Sequence, residues 1–481
     1  MNKGPTITCM KYESRKKQIR SQIEFKFQKS LEEDSMFVDV ITDKIAAEEF
    51  NKSFYRGEGE TNTDSGNPEI RLTKKYFAKA FLRGIGTFAY ATLLVTFFKT
   101  KTKSASSIGW VYAIPPNILE QHEGLRNLEK YLDSNVLTLN HKVPDEYLVQ
   151  SGSVRSKSRS GRLRVVPHIS SELLRRDQAN RLIQIFKLLG RMQSWLLHSL
   201  SNPYLLLIGP EYIVDFLAVR QRMNKECNLL VTTQSQLLAP AFVFKTKIKA
   251  ERVMFWYSDN SMQISKHPKK DFDYSYLSQP AINNHFVWTP SWKKKLSEYN
   301  ERARIISSGP VIFRVLEKPT QNRYELYRQI DSVTIFDVTP KKLASIDSIY
   351  SEEIMKTFLT DIVQVTHDKF PFASLRLKPK RAYSSSDSAN YVHETASLSP
   401  KLIRLEWNCD IVEELLNSDL VICIPFTSPA LISSYLGILT AFYVPSNEFN
   451  FAQSHENIPV LQGRGELGQF LEGMKNIQPP R

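Results

Sequence analysis

Four cysteines in 481 residues, at positions 9, 227, 409 and 423, are too few and too scattered for a disulfide framework or a paired zinc-ligand set. That usage fits a reducing cytoplasm. Acid is also in short supply: 50 Asp and Glu stand against 64 Lys and Arg, for a formal charge of +14. Such an excess calls for an anionic partner: nucleic acid, a membrane surface or a phosphorylated substrate. The basic residues are spread along the whole chain, with no paired zinc ligands and no aromatic RNP motif, so no nucleic acid is expected. The first 30 residues have no apolar core, which excludes reading them as a secretory leader. Long hydrophobic runs are missing too. The best membrane candidate, Gly84 to Phe98, has 15 uncharged residues, short of the roughly 20 that a spanning helix needs. It reads as a buried helix or, with Lys99, Lys101 and Lys103 beyond it, as an interfacial anchor on anionic lipid.

What is present is globular: 42% hydrophobic and 24% charged residues, over a length that calls for two domains. Residues 1–70 are polar and charged, ending in the linker-like Gly57 to Pro68. From Arg71 to Phe98 the pattern is helical, then Ser107 to Ile114 reads as a strand, Ile118 to Leu132 as a helix and Val136 to Leu139 as a short strand. Ser151 to Arg164 is rich in serine, arginine and lysine and reads as a mobile basic loop. Helices are expected over Ser170 to Leu200, Glu211 to Asn224 and Pro290 to Tyr299. Strands are expected at Asn228 to Thr233, Arg252 to Tyr257, His285 to Trp288 and Ala303 to Ile306.

The charged stretch 317–331, with Pro319, reads as a hinge between a first domain at 71–316 and a second at 332–481. In the second, strands at Val333 to Thr339, Phe372 to Leu377, Leu402 to Glu406, Leu420 to Ile424 and Leu439 to Val444 alternate with helices. Those helices are Glu352 to Phe370, Asp410 to Asn417, Ala430 to Leu436 and Glu466 to Met474. Alternation of this kind predicts an α/β fold with mostly parallel sheets covered by helices.

The stretch from Asp419 to Leu436 organises the second domain. Leu420 to Ile424 is the apolar run of a buried parallel strand, and the turn Pro425-Phe-Thr-Ser-Pro429 leads into a helix. Ser428 stands directly before Pro429, which predicts Ser428 as N-cap and Pro429 as the first helical residue. Two hydroxyls, Thr427 and Ser428, and free backbone N–H groups then face whatever lies beyond the strand. An anion suits that place, and in an open α/β sheet the anion is often a phosphate. The plainer reading, a strand and a capped helix with no ligand, describes most such turns.

With Pro425, Phe426, Thr427 and Ser428 intact, this segment resembles the bacterial polysaccharide-biosynthesis family named after its Pro-Phe-Thr-Ser motif. The likeness is most specific over about 333–446, including Phe336-Asp-Val-Thr-Pro340 and Leu377-Lys-Pro-Lys-Arg381. Softer matches lie at Trp256-Tyr-Ser258 with Asn260, at His285 to Trp292 and at Gly309-Pro310. The resemblance implies two Rossmann-like domains facing across a cleft, the GT-B build, and a glycosyltransferase-like activity. One departure is clear: the family's Tyr-Tyr-Asp-Pro ending is Phe442-Tyr-Val-Pro445 here, so Val444 stands where the family has a carboxylate. Its Gly-Lys-Pro entry is likewise Gly437-Ile-Leu-Thr440.

For a nucleotide-sugar donor, Lys378, Lys380 and Arg381 leave one strand end and Thr427 with Ser428 another, so in a parallel sheet both sets open on one crevice. They are expected to hold phosphate by charge and hydrogen bonds, with no cofactor and no metal. Glu406 is the candidate for the ribose. The general base is expected from the first domain, with Asp259 first, then Glu211 and His198. The hydroxyl pair is similar in kind to the motif by which some bacterial sialic-acid-type transferases hold a CMP phosphate, so a CMP-linked acidic sugar and a UDP-sugar both fit. The resemblance implies a saccharide or lipid-linked oligosaccharide as acceptor, expected to be reached from the cytoplasm or from the inner face of an anionic membrane. A nucleotide-sugar epimerase of the same build, or a non-catalytic assembly or nucleic-acid-binding protein, are the competing readings.

Overall fold

The computed structural model describes residues 74–97, 107–112, 114, 122–150, 159–166, 169, 172, 181–201, 206, 227–233, 250–256, 264–265, 282–300, 303–310, 330–340, 349–380, 382, 389–398, 402–451 and 458–475. The chain divides into two compact units. The first comprises Met1–Phe255, Gln279–Phe286 and Arg302–Arg304; the second comprises Trp256–Ser278, Val287–Glu301 and Ile305–Arg481. Apart from Ile330 and Asp331, the expected hinge at 317–331 lies outside the described residues, as does the helix expected at 211–224.

The first sheet is built from β1 (Ile108–Val111), β2 (Glu146–Gln150), β3 (Arg159–Ser160), β4 (Leu163–Val166), β5 (Cys227–Thr233), β6 (Glu251–Phe255), β8 (Asn284–Val287) and β9 (Arg304–Ser307), with β7 (Ile264–Ser265) outside it. Its strand order is β3-β4-β2-β1-β5-β6-β8-β9. The strands run parallel from β4 through β8, and β3 pairs antiparallel with β4. Parallel strands buried on both faces favour near-continuous apolar sequence, as in β1; β8 is also buried at every position although it opens with Asn284 and His285. The described helices between Lys74 and Ser307 are α1 (Lys74–Phe97), α2 (His122–Thr138) and α3 (Arg181–Ser201) of the first unit and α4 (Pro290–Tyr299) of the second. Helix α4 starts as its sequence dictates: Thr289 caps it by accepting from the Trp292 N–H, and Pro290 opens the first turn.

Two expectations fail in this half. Val136 to Leu139 is not a strand, because α2 continues through Thr138 and buries Val136 on its inner face. The basic stretch is not wholly loop either. Gly161, at φ +55°, turns the chain between β3 and β4, and Leu163, Val165 and Val166 are buried. Arg162 is held there by the carboxylates of Glu129 and Asp133 on α2.

The second sheet contains β10 (Ser332–Phe336), β11 (Ser374–Lys378), β12 (Leu402–Arg404), β13 (Leu420–Cys423), β14 (Leu439–Val444) and β16 (Val460–Gln462), while β15 (Asn450–Phe451) pairs with β7. Its order is β12-β11-β10-β13-β14-β16, parallel throughout. Numbered by appearance in the sheet this is 3-2-1-4-5-6, the doubly wound Rossmann arrangement, with its switch point between β10 and β13. Helices α5 (Glu352–Lys369), α6 (Ala389–Ser397), α7 (Ile411–Leu416), α8 (Ser428–Tyr435) and α9 (Gly463–Lys475) accompany it.

The register at the switch point is set from the amino ends. The Asp419 carboxylate accepts from the backbone N–H groups of Asp331 and Ser332, at 3.0 and 2.8 Å, and from the Ser332 hydroxyl at 2.8 Å. With that end pinned, Phe336 lies opposite both Lys378 and Cys423 at the other end. The core beneath is apolar: Phe358 stacks on Tyr443 at 5.9 Å between ring centroids, and the Tyr443 hydroxyl donates to buried Asp361 at 2.6 Å.

Candidate functional site

At the carboxyl ends of β11, β10 and β13 the chain leaves the sheet three times, through Lys378-Pro-Lys380, through Asp337-Val-Thr-Pro340 and through Pro425-Phe-Thr-Ser428. One strand separates Lys378 from Cys423, so their backbones are roughly 10 Å apart across the sheet. The two phosphate-binding segments read from the sequence therefore open at the same edge of the same unit.

The Pro-Phe-Thr-Ser turn is held from several sides. Phe426 packs edge-on against Phe442 and Phe451, at 5.0 and 5.4 Å between centroids. Tyr350 donates its hydroxyl to the Pro425 carbonyl at 2.9 Å. The peptide bond between Pro425 and Phe426 is cis. Helix α8 begins one residue earlier than the proline spacing implies: Thr427 is the N-cap, and Ser428 and Pro429 already belong to the helix. The Thr427 hydroxyl does not cap the helix but donates back to Ile424 O at 3.1 Å. A helix start without a side-chain cap, bearing the half-buried Thr427 and Ser428, leaves first-turn N–H polarity directed outward.

The basic segment is less open than the sequence implies. Lys378 is buried, and its ammonium donates to Trp407 O at 2.7 Å and to Pro379 O at 3.4 Å; burial lowers its pKa, against the pull of Cys409, Asp337 and Glu414. Lys380 is exposed. Glu406 is exposed in the segment after β12, one strand beyond β11. Arg381 lies outside the described residues, as do Asp259 and Glu211. His198 lies on α3 of the first unit, with its side chain undescribed.

Sequence reasoning passed over the group at the centre of this edge. Asp337 directly follows β10, is 3% exposed, and accepts from the Tyr391 hydroxyl at 2.8 Å and from the Lys380 N–H at 3.3 Å. Burial pushes its pKa up to about 6, against those two hydrogen bonds and the nearby charges of Arg404 and Lys378. An acid placed straight after an apolar strand was the signal available. Val444 ends β14 fully buried in the apolar core of the unit, so the position where the family has a carboxylate is here a core position. A hollow of about 340 Å³ lies elsewhere, lined by His367, Asp368, Ala373 and Arg464 near the amino end of β11, and takes no part in this edge.

Metal-free binding was read from the sequence, yet Asp271-Phe-Asp273 does have the Asp-X-Asp form that metal-dependent transferases use. It lies outside the described residues. Among the described residues no group of three His, Cys, Asp or Glu side chains is arranged to hold a metal.

A family model described as polysaccharide biosynthesis PFTS motif protein matches residues 192–471, more than half of the sequence and the whole of the second sheet. The chain belongs to that family. In this PFTS motif protein the eponymous turn is thus the one that closes β13 at the switch point. Among curated proteins none matches the sequence. Solved structures show distant likeness. A pneumococcal O-GlcNAc transferase, GtfA, in complex with UDP and GlcNAc, is 9% identical with a TM-score of 0.33, and the alignment covers 52% of this chain and 50% of that one. The PFTS protein thus spans about half the length of that transferase. The glycotransferase of kitacinnamycin is 13% identical with a TM-score of 0.37, covering 72% and 82%. A UDP-GlcNAc 2-epimerase from Methanocaldococcus jannaschii, in complex with UDP-GlcNAc and UDP, is 12% identical with a TM-score of 0.40, covering 78% and 93%. The family match, not these likenesses, carries the assignment.

Proposed function

We propose that this PFTS motif protein is a glycosyltransferase of surface-polysaccharide biosynthesis, of the capsular or O-antigen type. It takes a sugar from a nucleotide donor and passes it to a saccharide or lipid-linked acceptor. What supports the reading is that the Thr427-Ser428 helix start, at the switch point of a 3-2-1-4-5-6 sheet, and the Lys378-Lys380 segment, one strand beyond it, leave the sheet at the same carboxyl edge.

In the transfer, an acceptor hydroxyl oxygen bonds to the anomeric carbon as the bond from that carbon to the donor phosphate oxygen breaks. The electron pair leaves with the phosphate, and the acceptor proton passes to a general base. Charge grows on the leaving phosphate, where the Ser428 hydroxyl, the α8 N-terminus and the ammonium of Lys380 stabilise it, joined by the Thr427 hydroxyl once its proton turns from Ile424 O to the phosphate. Asp337 orders this edge by holding the Lys380 N–H while Tyr391 holds Asp337. Glu406 is assigned to the ribose, and Asp259, Glu211 and His198 are carried as the bases to be tested. Arg381 adds to the cationic segment. No metal is assigned to the step, and the donor is a CMP- or UDP-linked sugar.

Thermal denaturation in the presence of CMP, CDP, UDP and GDP tests the site, since a ligand that binds only the folded chain raises the midpoint. One of the four is expected to do so. Nucleotide released from the matching donor only when acceptor is present supports transfer. Conversion of the donor to its sugar epimer without acceptor assigns the site to an epimerase, and a flat response to all four nucleotides refutes both.

A further inference from the structure

Helices α1 and α3 of the first unit pack together through a tight seam. Trp195 of α3 lies against Gly84 and stacks tilted on Phe88, at 5.9 Å between centroids, and a β-carbon at Gly84 would collide with the indole. Leu188, Trp195 and Ser199 form the buried side of α3, as Gly84, Phe88 and Ala91 do for α1. An ordinary surface helix turns polar side chains to the other side. Helix α3 does the reverse. Leu182, Phe186, Leu189, Leu197 and Leu200 recur at intervals of three, four and eight residues, which puts them on one face, and they are 71, 71, 43, 59 and 84% exposed. Leu82, Ile85 and Leu93 repeat the pattern on α1.

Charge decides what such a face meets. The two helices carry Lys74, Lys75, Lys79, Arg83, Arg181, Lys187 and Arg191, and not one Asp or Glu. A second copy of the same pair would bring cations against cations. An acidic lipid surface brings the opposite sign, together with hydrocarbon for the leucines. No described helix is long and apolar enough to cross a membrane, so the contact is interfacial. We propose that the outward face of α3, backed by α1, is the docking surface by which this protein lies on an anionic bilayer. The proposal does not depend on the sugar-transfer reading, and its test uses no nucleotide.

The experiment is co-sedimentation of the full chain with phosphatidylcholine vesicles, with and without phosphatidylglycerol. Binding is expected only with the anionic lipid and is expected to weaken as salt rises. The double variant Phe186→Asp, Leu197→Asp replaces two mostly exposed side chains and should lower partitioning by about tenfold or more, with helix content by circular dichroism unchanged. Lys79→Glu with Arg83→Glu should weaken it as well, whereas Phe372→Asp, at an exposed aromatic of the second unit, should leave it unchanged. Wild-type chain that ignores anionic vesicles overturns the proposal. So does a Phe186, Leu197 variant that binds like wild type, or a wild-type dimer in sedimentation that the same variant dissociates.

Discussion

The Tyr350 hydroxyl donates to the Pro425 carbonyl oxygen at 2.9 Å, across 75 residues of sequence, and so ties the segment before α5 to the signature turn after β13. Pro425 is buried, so its carbonyl loses a partner it cannot replace from water when that hydroxyl is removed. Tyr350→Phe is expected to destabilise the second unit by about 1 kcal/mol and to weaken nucleotide binding through a loosened turn. Urea denaturation and a binding titration on the same variant check both. Loss of affinity with no loss of stability would mean that Tyr350 touches the ligand itself.

Asp337 gives the second unit a pH dependence of known sign. Its pKa is raised to about 6 in the fold, above the roughly 3.9 of an unfolded chain, so the folded form holds its proton more tightly. Its contribution to stability is therefore present at low pH and is lost as pH rises from about 4 through about 6, by on the order of 3 kcal/mol. Asp337→Asn removes that slope. Subtracting the variant's denaturation midpoints from those of wild type between pH 4 and 7 should leave a curve that declines with pH, and a flat difference contradicts the burial argument.

Val444 departs from the family's pattern, and the structure gives the departure a physical meaning. The side chain is fully buried among apolar neighbours, where a carboxylate would be desolvated. Val444→Asp is expected to destabilise the second unit by about 3 kcal/mol or more. A variant as stable as wild type would show that an acid at this position reaches solvent or a ligand, as the family pattern implies.

The strand and helix pattern was legible wherever the signal was local. Leu439 to Val444 is bounded by Gly437 and Pro445 and is rich in β-branched and aromatic residues, which favours a strand, and Thr289-Pro290 fixes the start of α4 by capping chemistry alone. Val136 to Leu139 misled because a short aliphatic run fits either period, and only the packing of α2 decides for helix. Helix α6 escaped notice behind a serine-rich stretch. At the site, hydroxyls and lysines could be brought together from strand ends alone, since parallel topology puts them on one edge. Asp337 could not, because what marks it is burial and a Tyr391 hydroxyl 54 residues away. Lys378 misled in the opposite sense: its charge was legible, but its engagement by the Trp407 carbonyl was not.

The most direct measurement is nucleotide affinity, by isothermal titration of the nucleotide that shifts the melting midpoint, for wild type against a folded Thr427→Ala, Ser428→Ala double variant. If hydroxyls at the start of α8 hold the phosphate, affinity falls by about 1 to 3 kcal/mol, roughly 5- to 150-fold. Equal affinity in the two proteins would contradict phosphate binding at the signature turn.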